Sequence, residues 1–208
     1  MGQDVVMTAV GRTYGGLSAQ QRSQDRRLRL LEAARTLIAD GGVAPLTVDL
    51  VCQRAALSKR YFYAEFATKD DLLDACAEEL FGRLGAQMEE VLTTAPLADR
   101  VEGTLRAVVH TLASDPADAR LYMECPGFPR LRECQQRAVR RFTERMAADA
   151  MSFSGRPKPS VDRMLATRAL VAGTTDLIVA WLQRDLDTDE ERIIATLTAT
   201  ARGAAAAI

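Results

Sequence analysis

Apolar side chains recur every three to four positions along most of the 208 residues, and sustained two-residue alternation appears nowhere. That period marks amphipathic helix, and the lack of alternation argues against sheet, so the pattern predicts an all-α fold. A first helix opens at Ser18, where Gln21 completes a capping box. It carries Leu28, Leu31, Ala34, Leu37 and Ile38 on one face and stops at Gly41 and Gly42, which are free to take positive φ. A short helix over 47–54 and another opened by Ser58 follow, joined by a tight turn at 55–57. Thr68 with Asp71 opens a long fourth helix bearing Leu72, Leu73, Cys76, Leu80, Leu84, Met88, Val91 and Leu92, which Pro96 ends. Beyond it the pattern predicts a helix over 97–113 with Val101, Leu105, Val108 and Leu112 as one stripe. A short helix comes next, opened by Asp115-Pro116 and ending near Cys125-Pro126-Gly127. A long helix over 129–153, a loop over 155–159, and helices over 161–184 and 188–205 complete the chain. Thr188 and Glu191 form the capping box of the last. Residues 1–17 hold four glycines and no helical period, and read as a flexible arm.

The helix, turn and helix between residues 47 and 65 form the arrangement whose second helix enters a DNA major groove. That helix begins Lys59-Arg60-Tyr61-Phe62-Tyr63, and such basic and aromatic side chains suit phosphates and base edges. Arg60 is the best base reader, because a guanidinium pairs bidentately with guanine. Tyr61 suits a thymine methyl or a phosphate, whereas Phe62 and Phe66 read as core. The net charge of −1 is uninformative until its distribution is seen. Between Arg22 and Arg60 eight basic residues face four acids, so the motif is basic and the remainder mildly acidic.

From residue 26 to 73 the chain resembles the bacterial tetracycline-repressor (TetR) family of one-component transcription regulators. The resemblance rests on Leu30, Ala33, Ala34, Leu37, Gly41, Thr47, Val48, Ala55, Ser58, Phe62, Tyr63, Phe66, Lys69 and Leu72 at family spacing. It implies an N-terminal three-helix DNA-binding domain (18–73) after the arm (1–17), then a helical ligand-binding and dimerisation domain (74–208). It also implies a homodimer joined through its two C-terminal helices. Such a dimer is a repressor that leaves a palindromic operator when a small-molecule effector binds; an activator or a regulator without a ligand is the alternative. By resemblance Thr47, Tyr63 and Lys69 hold the DNA backbone, and Ser58, Lys59, Arg60 and Tyr61 meet DNA from the front of the recognition helix. Two departures from the family stand out: Ala56 replaces the usual turn glycine, and Ala64-Glu65 stands where aromatic or basic residues are common. Glu65 would repel phosphate if it faced DNA. The arm's Arg12 admits two readings, entry into the minor groove or a free tail.

Effector-site candidates are Met88, Tyr122, Phe142 and Trp181, each apolar or amphipathic and each equally suited to core. His110 lies opposite the apolar stripe of its helix and faces either solvent or the pocket. Asp176, in the most apolar helix, needs a partner in a ligand, in Arg168 or across the dimer. The four cysteines, without a Cys-x-x-Cys and with His110 as the only histidine, imply no metal site. They read as reduced core thiols, redox sensing by Cys125 and Cys134 being the alternative. No phosphate-binding glycine loop or nucleophile elbow is present, so neither an enzyme nor a cofactor is expected. No signal peptide is evident, and the apolar run 169–182 is short for a membrane span, so a cytoplasmic protein with no membrane contact is expected.

Overall fold

Local hydrogen bonds set the helix boundaries in the computed structural model, which describes residues 18–154 and 161–206. The arm with Arg12 and the loop expected over 155–159 lie outside the described residues. Ser18 and Gln21 cap α1 (Ala19–Gly41) reciprocally, and Gly42, at φ 84°, closes it. Next come α2 (Val48–Ala55) and α3 (Lys59–Glu65), then α4 (Lys69–Thr94) behind the Thr68/Asp71 capping box. The segment expected to be one helix over 97–113 divides into a 3-10 turn (Leu97–Asp99) and α5 (Arg100–Ser114). Asp115 caps α6 (Pro116–Glu124), accepting from the N–H groups of Ala117 and Asp118. A second 3-10 turn (Cys125–Gly127) leads to α7 (Pro129–Ser154), then α8 (Val161–Leu182) and α9 (Glu190–Ala206). No strand occurs among the described residues.

Three further points differ from expectation. Asp189, not Thr188, caps α9: its Oδ1 accepts from the Arg192 N–H at 2.8 Å. The Thr188 carbonyl instead accepts from the Trp181 indole N–H at 3.0 Å, and Glu191 pairs with Arg106 on α5, leaving no capping box. Helix α8 stops at Leu182, two residues early, where Arg184 takes a left-handed φ of 63°. Leu28, assigned to the apolar face of α1, is exposed; burial on α1 begins at Leu30.

Helices α1–α3 close around Leu30, Ile38, Leu46 and Phe62, all essentially inaccessible. Helix α4 leaves this unit, with Leu72 buried near its start and Leu80 and Leu84 further on. It packs against α5 and α7, and α5 packs on α9. All four cysteines are buried and unpaired, and burial pushes Cys76 and Cys125 up to about 12. Burial likewise raises Cys134, so none of these three is the low-pKa thiol that redox sensing needs.

Short helix α6 fastens the two halves together. Asp118, 2% exposed, accepts from Arg35 of α1 and from Arg83 of α4, both at 2.6 Å. The second arm of Arg35 reaches Asp115 at 2.6 Å. Burial opposes the Arg35 charge, but Asp118 and Asp115 together outweigh it and raise its pKa. At the far end of α6, Glu124 accepts the Val43 N–H at 2.8 Å. That approach requires Gly42, because a Cβ there would come within 2.5 Å of the Glu124 carboxylate.

Two carboxylates make stability depend on pH in a defined direction. Burial would raise Asp115, yet the α6 N–H groups and Arg35 hold it below its ordinary 3.8. Asp71 is held down first by Arg130 and then by Thr68. A depressed folded-state value stabilises the fold above the ordinary value and loses that contribution as pH falls through the folded one. Stability is therefore expected to drop below pH 3.8. Asp115→Asn, which keeps the cap but not the charge, should flatten that drop in acid-unfolding curves.

Candidate nucleic-acid interface

Thr47 stands exposed at the N-terminus of α2, its hydroxyl accepting the Leu50 N–H at 3.2 Å. The cap and the helix N-terminus favour an anion at this point. The turn to α3 passes through Ala56 at φ 50°, ψ 46°, a left-handed conformation that costs a residue with a Cβ roughly 1–2 kcal/mol. Arg29 of α1 braces it, donating to the Ala55 carbonyl at 2.6 Å, and the Leu57 N–H returns to the Cys52 carbonyl at 3.0 Å. The turn thus keeps its shape without the glycine.

Helix α3 divides by face. Phe62 is buried, and Phe66 just past the helix end is too, their rings 5.9 Å apart. Ser58, Lys59, Arg60, Tyr61 and Tyr63 are exposed. Ser58 occupies the N-cap position, but its hydroxyl makes no capping bond, a departure from expectation that leaves it free for a phosphate. Lys59 pairs with Asp49 of α2 at 2.7 Å, and that hydrogen bond raises its pKa. Arg60 has no partner among the described residues, as a base reader requires. Arg26 lies over the Tyr61 ring, 5.1 Å from its centroid. The Tyr63 ring meets Phe62 edge-on at 5.3 Å, which leaves its hydroxyl end outward. Lys69, half-buried, is the first residue of α4.

Glu65 does not point outward from the recognition helix. It turns back to α1, where Ser23 Oγ donates at 2.7 and 2.9 Å and Arg26 binds it at 2.9–3.0 Å. Its side chain is 8% exposed. The same contacts revise the charge reading. Arg26 is engaged by Glu65, Arg29 by the turn carbonyls and Arg35 by α6, so the outward positive charge is smaller than a residue count suggests.

The second candidate site is a cavity of about 730 Å³, open on one side and lined by α4 to α9. Met88, Tyr122 and Phe142 line it, as does the Val101/Leu105/Val108 stripe of α5. Since the stripe faces the cavity, His110 on the opposite side faces solvent, its Nδ1 3.2 Å from Glu190. Asp176 is exposed on the outer face of α8, and Trp181 is directed to the Thr188 carbonyl; neither lines the cavity. Sequence reading missed Gly82, Gly85 and Arg141 on the cavity wall. The two glycines three apart within a helix were the available signal, since each weakens the helix by about 1 kcal/mol relative to alanine.

A helix-turn-helix with a cationic, aromatic outer face, set on a helical body, defines a DNA-binding transcription regulator. Residues 30–76 match the family model described as "Bacterial regulatory proteins, tetR family". No curated protein sequence matches the chain. Solved structures do. A TetR family transcription regulator from Marinobacter aquaeolei VT8 is 20% identical over 89% of this chain and 97% of its own, with a TM-score of 0.66. The fatty acid degradation regulator FadR from Bacillus halodurans is 17% identical over 86% and 94%, at 0.70. The multidrug binding protein EbrR, solved with imidazole, is 25% identical over 84% and 94%, at 0.59. Residues 30–76 thus match the tetR-family model, and the chain as a whole shares the fold of these solved regulators.

Arg60→Ala is expected to lower affinity for the preferred DNA site by about 1–3 kcal/mol and to relax the sequence requirement at one base pair. Glu65→Ala should loosen α3 without gaining affinity. An affinity gain on removing Glu65, in a titration at fixed salt, would show that its charge does face phosphate.

Proposed function

We propose that the protein is a homodimeric repressor that leaves a palindromic operator when a small molecule occupies the cavity. The observation that carries this reading is the double role of α6. Its Tyr122 forms part of the cavity wall, tilted against Phe81 with ring centroids 6.3 Å apart, while its Asp118 and Glu124 hold α1. A ligand that displaces Tyr122 moves the anchors of the DNA-binding unit, and by linkage operator binding then disfavours the ligand. EbrR, described as a multidrug binding protein, lends support by analogy.

Features of α8 and α9 support dimerisation. The window Leu165–Leu182 has a mean hydropathy of 1.3 yet is only 6% buried within the chain. Beginning at Leu165, it is longer than the run noted in the sequence, and its length and composition suit a membrane span. Two charges on its exposed face, Arg168 and Asp176, unpartnered among the described residues, favour a protein partner over lipid and a cytoplasmic protein. They lie four residues either side of Ala172. An antiparallel two-fold contact centred there brings Arg168 of each copy to Asp176 of the other, as an isologous interface demands. The outer face of α9 adds Ala195, Ala199 and Gly203, small enough for close approach.

Selection of bound DNA from a random pool tests the regulator reading. A palindromic sequence that wild type binds and the Lys59/Arg60/Tyr61 triple-alanine variant does not is expected; no enrichment would end it. Sedimentation tests the dimer. Arg168→Asp or Asp176→Arg alone should dissociate it at least tenfold more readily, and the double exchange should restore it. Failure of the double exchange to do so would exclude the α8 contact.

A further inference from the structure

The lining of the cavity divides into an apolar length and a cationic edge. Along α4 it extends from Phe81 to Leu92, eleven residue steps, or about 16 Å of helix. Ile178, Leu84 and Leu92 on its walls are almost wholly buried. Several hydroxyl groups along the way are occupied, whereas Thr174 makes no hydrogen bond to a described residue. Thr143 and Thr175 donate to carbonyls of their own helices at 2.9 Å. Thr104 has an unpartnered hydroxyl, but less than 1 Å² of its oxygen is accessible. A molecule lying along this length therefore meets apolar surface and finds few groups to hydrogen-bond.

The edge between α4 and α7 is different. Gly82 and Gly85 leave the wall low there, since an added Cβ would meet nothing within 4 Å. Glu89 of α4 and Arg145 of α7 pair across the same edge at 2.9–3.2 Å. Arg141, one turn before Arg145 and also on the cavity wall, is exposed with no hydrogen bond or ion pair to any described residue. Among the described residues Glu89, Arg141 and Arg145 are the charged ones of the lining, so their net charge is positive and lies at one place.

We propose that the cavity takes an anionic amphiphile: an unbranched apolar chain lying along α4, with a carboxylate head held by Arg141 at the low edge. An extended chain advances about 1.2 Å per bond, as the reach of a polypeptide implies, so about 16 Å holds a chain of roughly a dozen carbons. This rests on the reading of the cavity as the effector site and specifies the ligand that reading leaves open. A cationic amphiphile is disfavoured because Glu89 is already neutralised by Arg145, and a neutral one gains nothing from Arg141.

Three probes of equal chain length, used below micelle formation, test it: dodecanoate, dodecanol and dodecyltrimethylammonium. Calorimetric titration of the full chain should rank dodecanoate about tenfold tighter than dodecanol, with the ammonium weakest. Arg141→Ala, an exposed substitution that should leave folding intact, should abolish the preference for dodecanoate over dodecanol. Arg141→Glu should reverse the order toward the ammonium. Equal affinity for acid and alcohol, or a wild-type preference for the ammonium, would overturn the proposal, as would an undiminished preference in Arg141→Ala. A parallel operator-release assay separates the two readings. Tight dodecanoate binding without release upholds the ligand class and removes the effector role. Release by other compounds, with no dodecanoate binding, removes the ligand class alone.

Discussion

A single buried carboxylate ties the two halves of this molecule together. Asp118 lies out of water between guanidinium groups from α1 and α4, and its neighbour Asp115 receives the second arm of Arg35. An exposed ion pair contributes about 0–1 kcal/mol, but removing one partner of a buried pair costs about 3–5 kcal/mol, because the remaining charge has nowhere to go. With its side chain 3% exposed, Asp118 belongs to the second kind. The Glu124 bond to the Val43 N–H adds a second fixed point at the other end of α6, so this nine-residue helix can neither slide nor tilt without disturbing α1.

The DNA-reading face depends on similar economy. Its recognition helix is seven residues long and is not held by its own cap. Phe62 and Phe66 anchor it from within, and Arg26 holds its far end through Glu65 while covering the Tyr61 ring. The face is thus ordered before DNA arrives, and each side chain already fixed spares the association about 0.5–1.5 kcal/mol of ordering cost.

The helices and most of their ends were legible in the sequence because they depend on local chemistry. Ser18/Gln21, Thr68/Asp71 and Asp115-Pro116 act within one turn, and spacing alone reveals them. The capping of α9 was not legible, because Glu191 was drawn away by Arg106, eighty-five residues distant. The orientation of Glu65 was hidden for the same reason: its partners Ser23 and Arg26 belong to another helix. In the cavity the large side chains Met88, Tyr122 and Phe142 were found by their chemistry. Gly82, Gly85 and Arg141 were not, since a gap in a wall and an unpaired surface charge become visible only once neighbouring helices are in place.

The inward turn of Arg26, Arg29 and Arg35 has a consequence for how the protein responds to its ionic surroundings. A cation that neutralises a phosphate releases counterions from the duplex and adds about 0.9 to the slope of log affinity against log salt. Guanidinium groups already committed to carboxylates and carbonyls inside the protein release none. The grip on DNA accordingly weakens less steeply with rising salt than the basic residues of the motif would imply, and more of its strength resides in the few side chains that discriminate sequence.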